Sequence, residues 1–397
     1  MTSPAPPHPL TLAILNWRDT GHPEGGGSEL YIETVAAGLA AAGHDVTLFC
    51  AAYDGAPTTE TRAGVRIIRG GGRLSVYVRA LVALATGRLG RPDVIVDVQN
   101  GMPFWSRLVT RAPVVVLVHH VHREQWRVVY GRTMAALGWW LESRLAPLVY
   151  RRSRYVAVSA VTRDELASLG VGPSRCTVIR NGTVSPPPTF SGPEATPRIC
   201  VLGRLVPHKR VEHVLEAALR LQSRWPKLRV AVVGDGWWGD ELRARTQELG
   251  LEDVVEFCGH VDEQRKHEEL ARAWLLAAPS IKEGWGLVVM EAATHEVPTV
   301  GYRNAGGLAE SVIHDETGLL VEDFDAFVEA IATLLDDATT RRRLGSIAAA
   351  RAQVFHWDAA VMAWEALLSE VVRPDSRPDD RRTVANSAGA DDQLVVP

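Results

Sequence analysis

The sequence predicts an α/β protein made of two doubly wound domains. Two observations predict the class and a third divides the chain. Short runs rich in Val and Ile recur from Leu12 to Val300 without polar alternation, as in strands covered on both faces. Between them lie longer stretches with apolar residues every third or fourth position, and such alternation builds a parallel sheet flanked by helices. Residues 181–197 hold five Pro and two Gly and no apolar period, so they read as a linker between two αβ series.

The first series opens with a strand at Leu12–Leu15 and a helix at Ser28–Ala42. Strands follow at Val46–Cys50, Val65–Ile68, Val94–Val98 and Val114–Val118. A long helix precedes a strand at Tyr155–Val158 and carries Trp139, Trp140, Arg144, Arg151, Arg152 and Arg154. It reads either as a packed helix with a solvated basic end or as a face laid on a membrane surface. After Val178–Ile179 and the linker, the second series runs Ile199–Leu202, helix Arg210–Arg224, Arg229–Val233, helix Gly239–Leu249 and Val254–Phe257. Leu275–Ala278, helix Leu287–His295, Thr299–Val300 and helix Phe324–Leu335 complete it. The expected division is a first domain over 1–183, a linker over 184–197 and a second domain over 198–355. A final helix over 356–372 crosses back toward the first domain, and 373–397 form a disordered polar tail.

With 397 residues, 46% of them hydrophobic, the chain can bury two cores of ordinary size. No apolar run reaches the roughly 18 residues that span a bilayer. Met1–Leu10 is Pro-rich and lacks the order of a secretory signal. The four cysteines have no metal-type spacing, which suits a reduced cytosol. The net charge of −4 hides an asymmetry, since residues 1–190 carry +7 and the remainder −11. The basic half suits an anionic acceptor or peripheral contact with a membrane, or simply reflects an Arg-preferring composition. No nucleic-acid motif is present.

The densest constellation is Glu283-Gly-Trp-Gly-Leu-Val-Val-Met-Glu291, where a strand gives way to a helix. Gly284 and Gly286 let a ligand approach the backbone, and the first-turn N–H groups, Leu287 included, suit an anion such as a diphosphate. Glu291 can accept hydrogen bonds from ribose hydroxyls and Glu283 can reach a sugar hydroxyl; alone, both are ordinary surface acids. Arg204 and Lys209 follow the strand Ile199–Leu202 and place fixed positive charge at an inter-domain crevice. Gly234 belongs to a strand-end turn packed at the cleft floor, and Val261 offers a backbone edge to a nucleobase.

In order, Gly203-Arg204-Leu-x-x-x-Lys209, Val-Gly234-x-Gly, Phe-x-Gly-x-Val261, the Glu-x7-Glu run, Gly306-Gly307 and Gly318-Leu-Leu-Val resemble glycosyltransferase family 4, the bacterial group 1 glycosyltransferases. The resemblance covers about residues 11–370. It implies the GT-B fold, two Rossmann-like domains facing across a cleft, and a retaining transfer of a hexose-type sugar from a UDP- or GDP-sugar. The hydroxyl acceptor is a lipid, polysaccharide or small metabolite. By the same resemblance Arg204 and Lys209 bind the donor diphosphate, Glu291 the ribose and Glu283 the transferred sugar. The nucleotide-sugar is a substrate, and the resemblance implies neither cofactor nor metal in the chemical step. Other GT-B enzymes, such as sugar-nucleotide epimerases and phosphorylases, lack this combination; a non-catalytic sugar-nucleotide binder would retain it.

In the first half, Gly25-Gly26-Gly27-Ser28-Glu29 resembles the family's Gly-Gly-Ala-Glu loop, with Ser28 in place of Ala. Gly26 and Gly27 are expected to approach the diphosphate and Ser28 the acceptor; a bare glycine run also makes a tight turn. His119-His120-Val-His122 follows Val114–Val118. Its histidines suggest a metal, but the resemblance places His119 at the sugar's primary hydroxyl and His120 on the acceptor side. Adjacent residues leaving a strand also point apart. Asn100, after Val94–Val98, points at the cleft from the acceptor side, while His122 and Trp126 read as packing residues.

Overall fold

The computed structural model describes residues 8–183, 186 and 192–372. Parts of the expected linker, 184–185 and 187–191, and all of the expected tail, 373–397, lie outside the described residues.

The first sheet contains β1 (Thr11–Leu15), β2 (Asp45–Cys50), β3 (Thr59–Arg62), β4 (Val65–Arg69), β5 (Val94–Gln99), β6 (Val114–Val118), β7 (Arg154–Ala157) and β8 (Cys176–Val178). Its order is β3-β4-β2-β1-β5-β6-β7-β8. All pairs are parallel except β3 with β4. β3 escapes the sequence reading because its Thr-Glu-Thr-Arg alternates at an exposed edge and lacks the apolar run of a doubly covered strand.

The second sheet contains β9 (Arg198–Leu202), β10 (Arg229–Val233), β11 (Val255–Gly259), β12 (Leu275–Ala278), β13 (Thr299–Tyr302) and β14 (Gly318–Val321). Its order is β11-β10-β9-β12-β13-β14, parallel throughout. In each sheet the strand order reverses at the first strand of its series. β1 lies between β2 and β5, and β9 lies between β10 and β12. The loops leaving β1 and β9 therefore open into the crevices where such sheets take ligands.

The expected long helix before β7 is present and contains one irregular turn. It runs Arg132–Trp140, passes through one π-turn at Leu141–Leu145 and ends at Ala146–Val149. The π-turn coincides with Glu142, buried at 1% exposure, which accepts hydrogen bonds from the His122 N–H (2.9 Å) and Trp126 Nε1 (2.6 Å). A local widening of this kind re-aims a side chain that the regular helix would misplace. Of the four arginines only Arg144 lies on this helix: Arg151 and Arg152 follow its end in a turn, and Arg154 stands in β7, paired with Glu370 at 3.0 Å. The helices Glu263–Arg272 and Ala338–Ala352 were also not expected. Both are poor in large apolar residues, with Leu270 in the first and Leu344 and Ile347 in the second.

The last helix, Trp357–Val372, lies on helix Gly27–Ala41 of the first domain. Gly38 permits this, since a Cβ there would stand 2.4 Å from Val361 Cγ2. Trp364 Nε1 donates to the Tyr31 hydroxyl at 2.8 Å, and that hydroxyl donates to the Ile179 carbonyl at 3.1 Å. The two buried rings thus tie the chain's end to the start of the crossover. Among the described residues no helix is long and apolar enough to cross a membrane.

Candidate active site

The carboxyl ends of the two sheets meet. After β1 the chain enters Asn16–Gly26, and the glycines at its end let it touch the other domain. A Cβ on Gly26 would stand 3.1 Å from Arg204 Nε, and one on Gly27 would stand 3.0 Å from Leu287 Cδ1. Glu29 is buried and takes the Gly26 N–H and the Ser28 hydroxyl, both at 2.8 Å. The Gly26 amide and Ser28 Oγ are thus turned into the loop itself, and what the loop offers the cleft is a bare backbone surface.

The facing loop leaves β9. Gly203 precedes Arg204, whose Nη1 donates to the Glu24 carbonyl at 3.3 Å across the cleft. Gly234 closes the floor beneath it: at φ +126 its Cβ would stand 2.0 Å from the Gly203 carbonyl, so only glycine fits. Gly234 also donates to the Gly259 carbonyl at 2.9 Å, and Val261 lies just beyond, partly buried before helix Glu263–Arg272.

Lys209 and Glu283 form the charged centre. Lys209 Nζ lies 2.5 Å from Glu283 Oε1, and Ser280 Oγ donates to the same oxygen at 2.6 Å. Burial raises the cost of charge on Glu283, but the Lys209 cation and these two hydrogen bonds outweigh it and hold the carboxyl below its ordinary pKa. Arg204, Lys209, Ser280 and Glu283, with Gly203 and Val288, line one cavity between the ends of β9 and β12. Gly306 and Gly307 support it from behind, with Gly307 donating to the Glu283 carbonyl at 2.9 Å.

Gly286, at φ +87, opens helix Leu287–Ala293. Glu291 stands further along that helix and is not free: Lys266 Nζ lies 2.7 Å from its Oε1 and 2.8 Å from Glu263. The sequence reading did not single out Lys266. Its one signal was rarity, since the chain has four lysines. Lys282 instead bridges to Glu165 of the first domain.

His119 leaves β6 directly under the C-terminal loop. A Cβ on Gly284 would stand 2.3 Å from the His119 carbonyl, so the glycine admits this backbone-to-backbone approach. The ring packs edge-on to Tyr31 at 5.4 Å, and its buried Nε2 has no hydrogen-bond partner among the described residues. Burial, with a smaller push from His122, lowers its pKa to about 3, so the imidazole is neutral. His120 parts from it and lies against His122, centroids 4.1 Å apart. Burial and the neighbouring His122, His208 and Lys282 lower the His120 pKa well below its usual value. His122 and Trp126 are held by Glu142 and pack beneath Gly101. Asn100 is half-buried in the adjoining turn, bridged to Met102. No group of three His, Cys, Asp or Glu among the described residues is placed to hold a metal.

Two parallel-sheet domains with a cation-lined cleft between their carboxyl ends define the GT-B architecture. The family model described as Glycosyltransferase Family 4 matches residues 25–184, and that described as Glycosyl transferases group 1 matches residues 190–351. One model covers each lobe, and the chain belongs to the group 1 glycosyltransferases. It is 27% identical to a glycogen synthase from Mycobacterium tuberculosis over 91% of this chain and 95% of that one. It is 33% identical to a D-inositol 3-phosphate glycosyltransferase from Corynebacterium efficiens, over 53% of this chain and 55% of that one. It is 39% identical to an exopolysaccharide phosphotransferase from Streptomyces coelicolor, where the match spans 47% of this chain and only 19% of the relative. Among solved structures, sucrose-phosphate synthase from Thermosynechococcus elongatus superposes with TM-score 0.76 at 22% identity, over 90% of this chain and 97% of that one. Anabaena HepE, solved with UDP-glucose, gives 0.72 at 19% identity over 91% and 99%. At these identities the likeness is one of fold.

Proposed function

We propose that the chain is a retaining glycosyltransferase that moves a hexose-type sugar from a UDP- or GDP-sugar to a hydroxyl acceptor. The convergence of Arg204, Lys209 and Glu283 on one cavity, facing Gly26, Gly27 and His119, carries the reading. The diphosphate lies against Arg204, Lys209 and the first-turn amides of helix Leu287–Ala293, whose fixed charge takes up what builds on the departing group. No metal is assigned to that task. Glu291 exchanges Lys266 for the ribose hydroxyls. The neutral His119 offers Nε2 to the sugar's primary hydroxyl, and Glu283 holds the transferred ring.

In the transfer step the bond from the anomeric carbon to the diphosphate oxygen breaks and its electrons leave with the diphosphate. The acceptor oxygen bonds to the same face of that carbon, and its proton passes to the departing phosphate oxygen. This geometry fits a site where Glu283 is already bound to a lysine and His119 is sunk in the cleft wall, leaving neither as an enzymic base for the acceptor. HepE was solved with UDP-glucose, which supports a nucleotide-sugar donor, and the Corynebacterium efficiens relative is named a glycosyltransferase. Proton NMR of the first product formed checks the stereochemistry: retention is expected, and an inverted anomer would overturn the same-face step.

A further inference from the structure

We propose that the acceptor carries a phosphate group, seated at the first domain's rim of the cleft by Arg18 and Arg73 with the hydroxyl of Tyr130. The assignment rests on reading the cleft as the place of glycosyl transfer. Both guanidinium groups lie over one indole: Arg18 is 4.0 Å and Arg73 is 6.0 Å from the Trp17 ring centre. Trp17 is fixed in turn, its Nε1 donating to the Arg73 carbonyl at 2.9 Å. Arg73 Nη2 donates to the Tyr130 hydroxyl at 3.1 Å and its guanidinium lies 6.0 Å from that ring. Stacking on aromatic faces holds flexible side chains in place before any ligand arrives.

The charge here is unbalanced. Arg18 bonds to Glu24 and to its carbonyl, and Arg204 reaches that same carbonyl from the other domain. Among the described residues neither Arg73 nor Arg204 has a carboxylate within ion-pair distance. Burial lowers the Arg18 pKa against the pull of Glu24 and Glu29, and Arg204 and Arg73 add like-charge repulsion. Three guanidinium groups thus share two carboxylates, Glu24 and Glu29. A donor diphosphate answers Arg204 from the second domain's side and leaves Arg73, on the acceptor's side, to a second anion. Planar guanidinium forks and phenol donors match phosphate oxygens.

The phosphate can belong to a soluble phosphorylated polyol or to a lipid headgroup, since Leu74, beside Arg73, is 73% exposed. Calorimetry on the full chain separates the two, using glycerol 3-phosphate in one arm and phosphatidylglycerol vesicles against phosphatidylcholine vesicles in the other. The wild type is expected to bind one of these sources. Arg73→Gln should bind it at least ten-fold more weakly with UDP affinity unchanged, and Arg73→Lys should fall between. Arg204→Gln should lose UDP affinity and keep the phosphate site. No binding to either source, equal binding by Arg73→Gln, or loss of the site in Arg204→Gln overturns the proposal. Failure of the wild type to bind any nucleoside diphosphate would count instead against the donor reading.

Discussion

Glu283 is a half-buried acid that stays charged because Lys209 and Ser280 meet it on one oxygen. Glu291 is likewise occupied, by Lys266. Each carboxylate keeps its lysine until a ligand takes one partner. Glu291→Ala removes the acceptors proposed for the ribose, and a hydrogen bond to a charged group contributes about 1.5–3 kcal/mol, so UDP affinity should fall ten-fold or more. Calorimetry checks this, and unchanged affinity would displace the ribose from this residue. His119 makes a pH prediction. Its pKa of about 3 lies below the ordinary 6.5, so below pH 6.5 the unfolded chain binds a proton that the folded chain refuses. The residue therefore costs stability as pH falls, by about 1.4 kcal/mol per unit. Between pH 6.5 and 5 that is about 2 kcal/mol, and His119→Asn should lose correspondingly less in urea unfolding over the same interval.

At the scale of elements, glycines set how closely the two lobes approach. Gly26 and Gly27 face side chains, which can give way; Gly284 faces the His119 carbonyl, which cannot without moving the end of β6. Gly284→Ala should therefore wedge the lobes apart rather than unfold either. The expected result is a fall of ten-fold or more in kcat/KM with far-ultraviolet dichroism unchanged. A larger radius of gyration by small-angle scattering would show the opening directly.

Across the whole molecule, the crossings between lobes are polar. Lys282 with Glu165, Arg180 with Glu310, and the Ala160 N–H on Glu310 at 2.7 Å join the domains around the cleft. The return of Trp357–Val372 onto Gly27–Ala41 adds an apolar seam. A donor gripped from the second domain and covered by the first stabilises the whole chain by mass action, about 2.7 kcal/mol at a hundred-fold excess over Kd. UDP-sugars and GDP-sugars compared by thermal shift should therefore separate, with one base raising Tm and the other leaving it.

The amino-acid sequence by itself determined the two αβ series, their order and the motif at each strand end, because buried parallel strands and glycine turns leave local marks. Glu283-x7-Glu291, Arg204 and Lys209 were legible for that reason. Lys266, Arg73 and Tyr130 were not, since a pairing of Lys266 with Glu291 or of Arg73 with Tyr130 joins positions far apart along the chain. The π-turn at Leu141–Leu145 answers a buried Glu142 that helical periodicity does not register. The occupied state of Glu29 and Glu283, the free Nε2 of His119 and the uncompensated arginines depend on which groups meet across two lobes, and only the tertiary structure decided that.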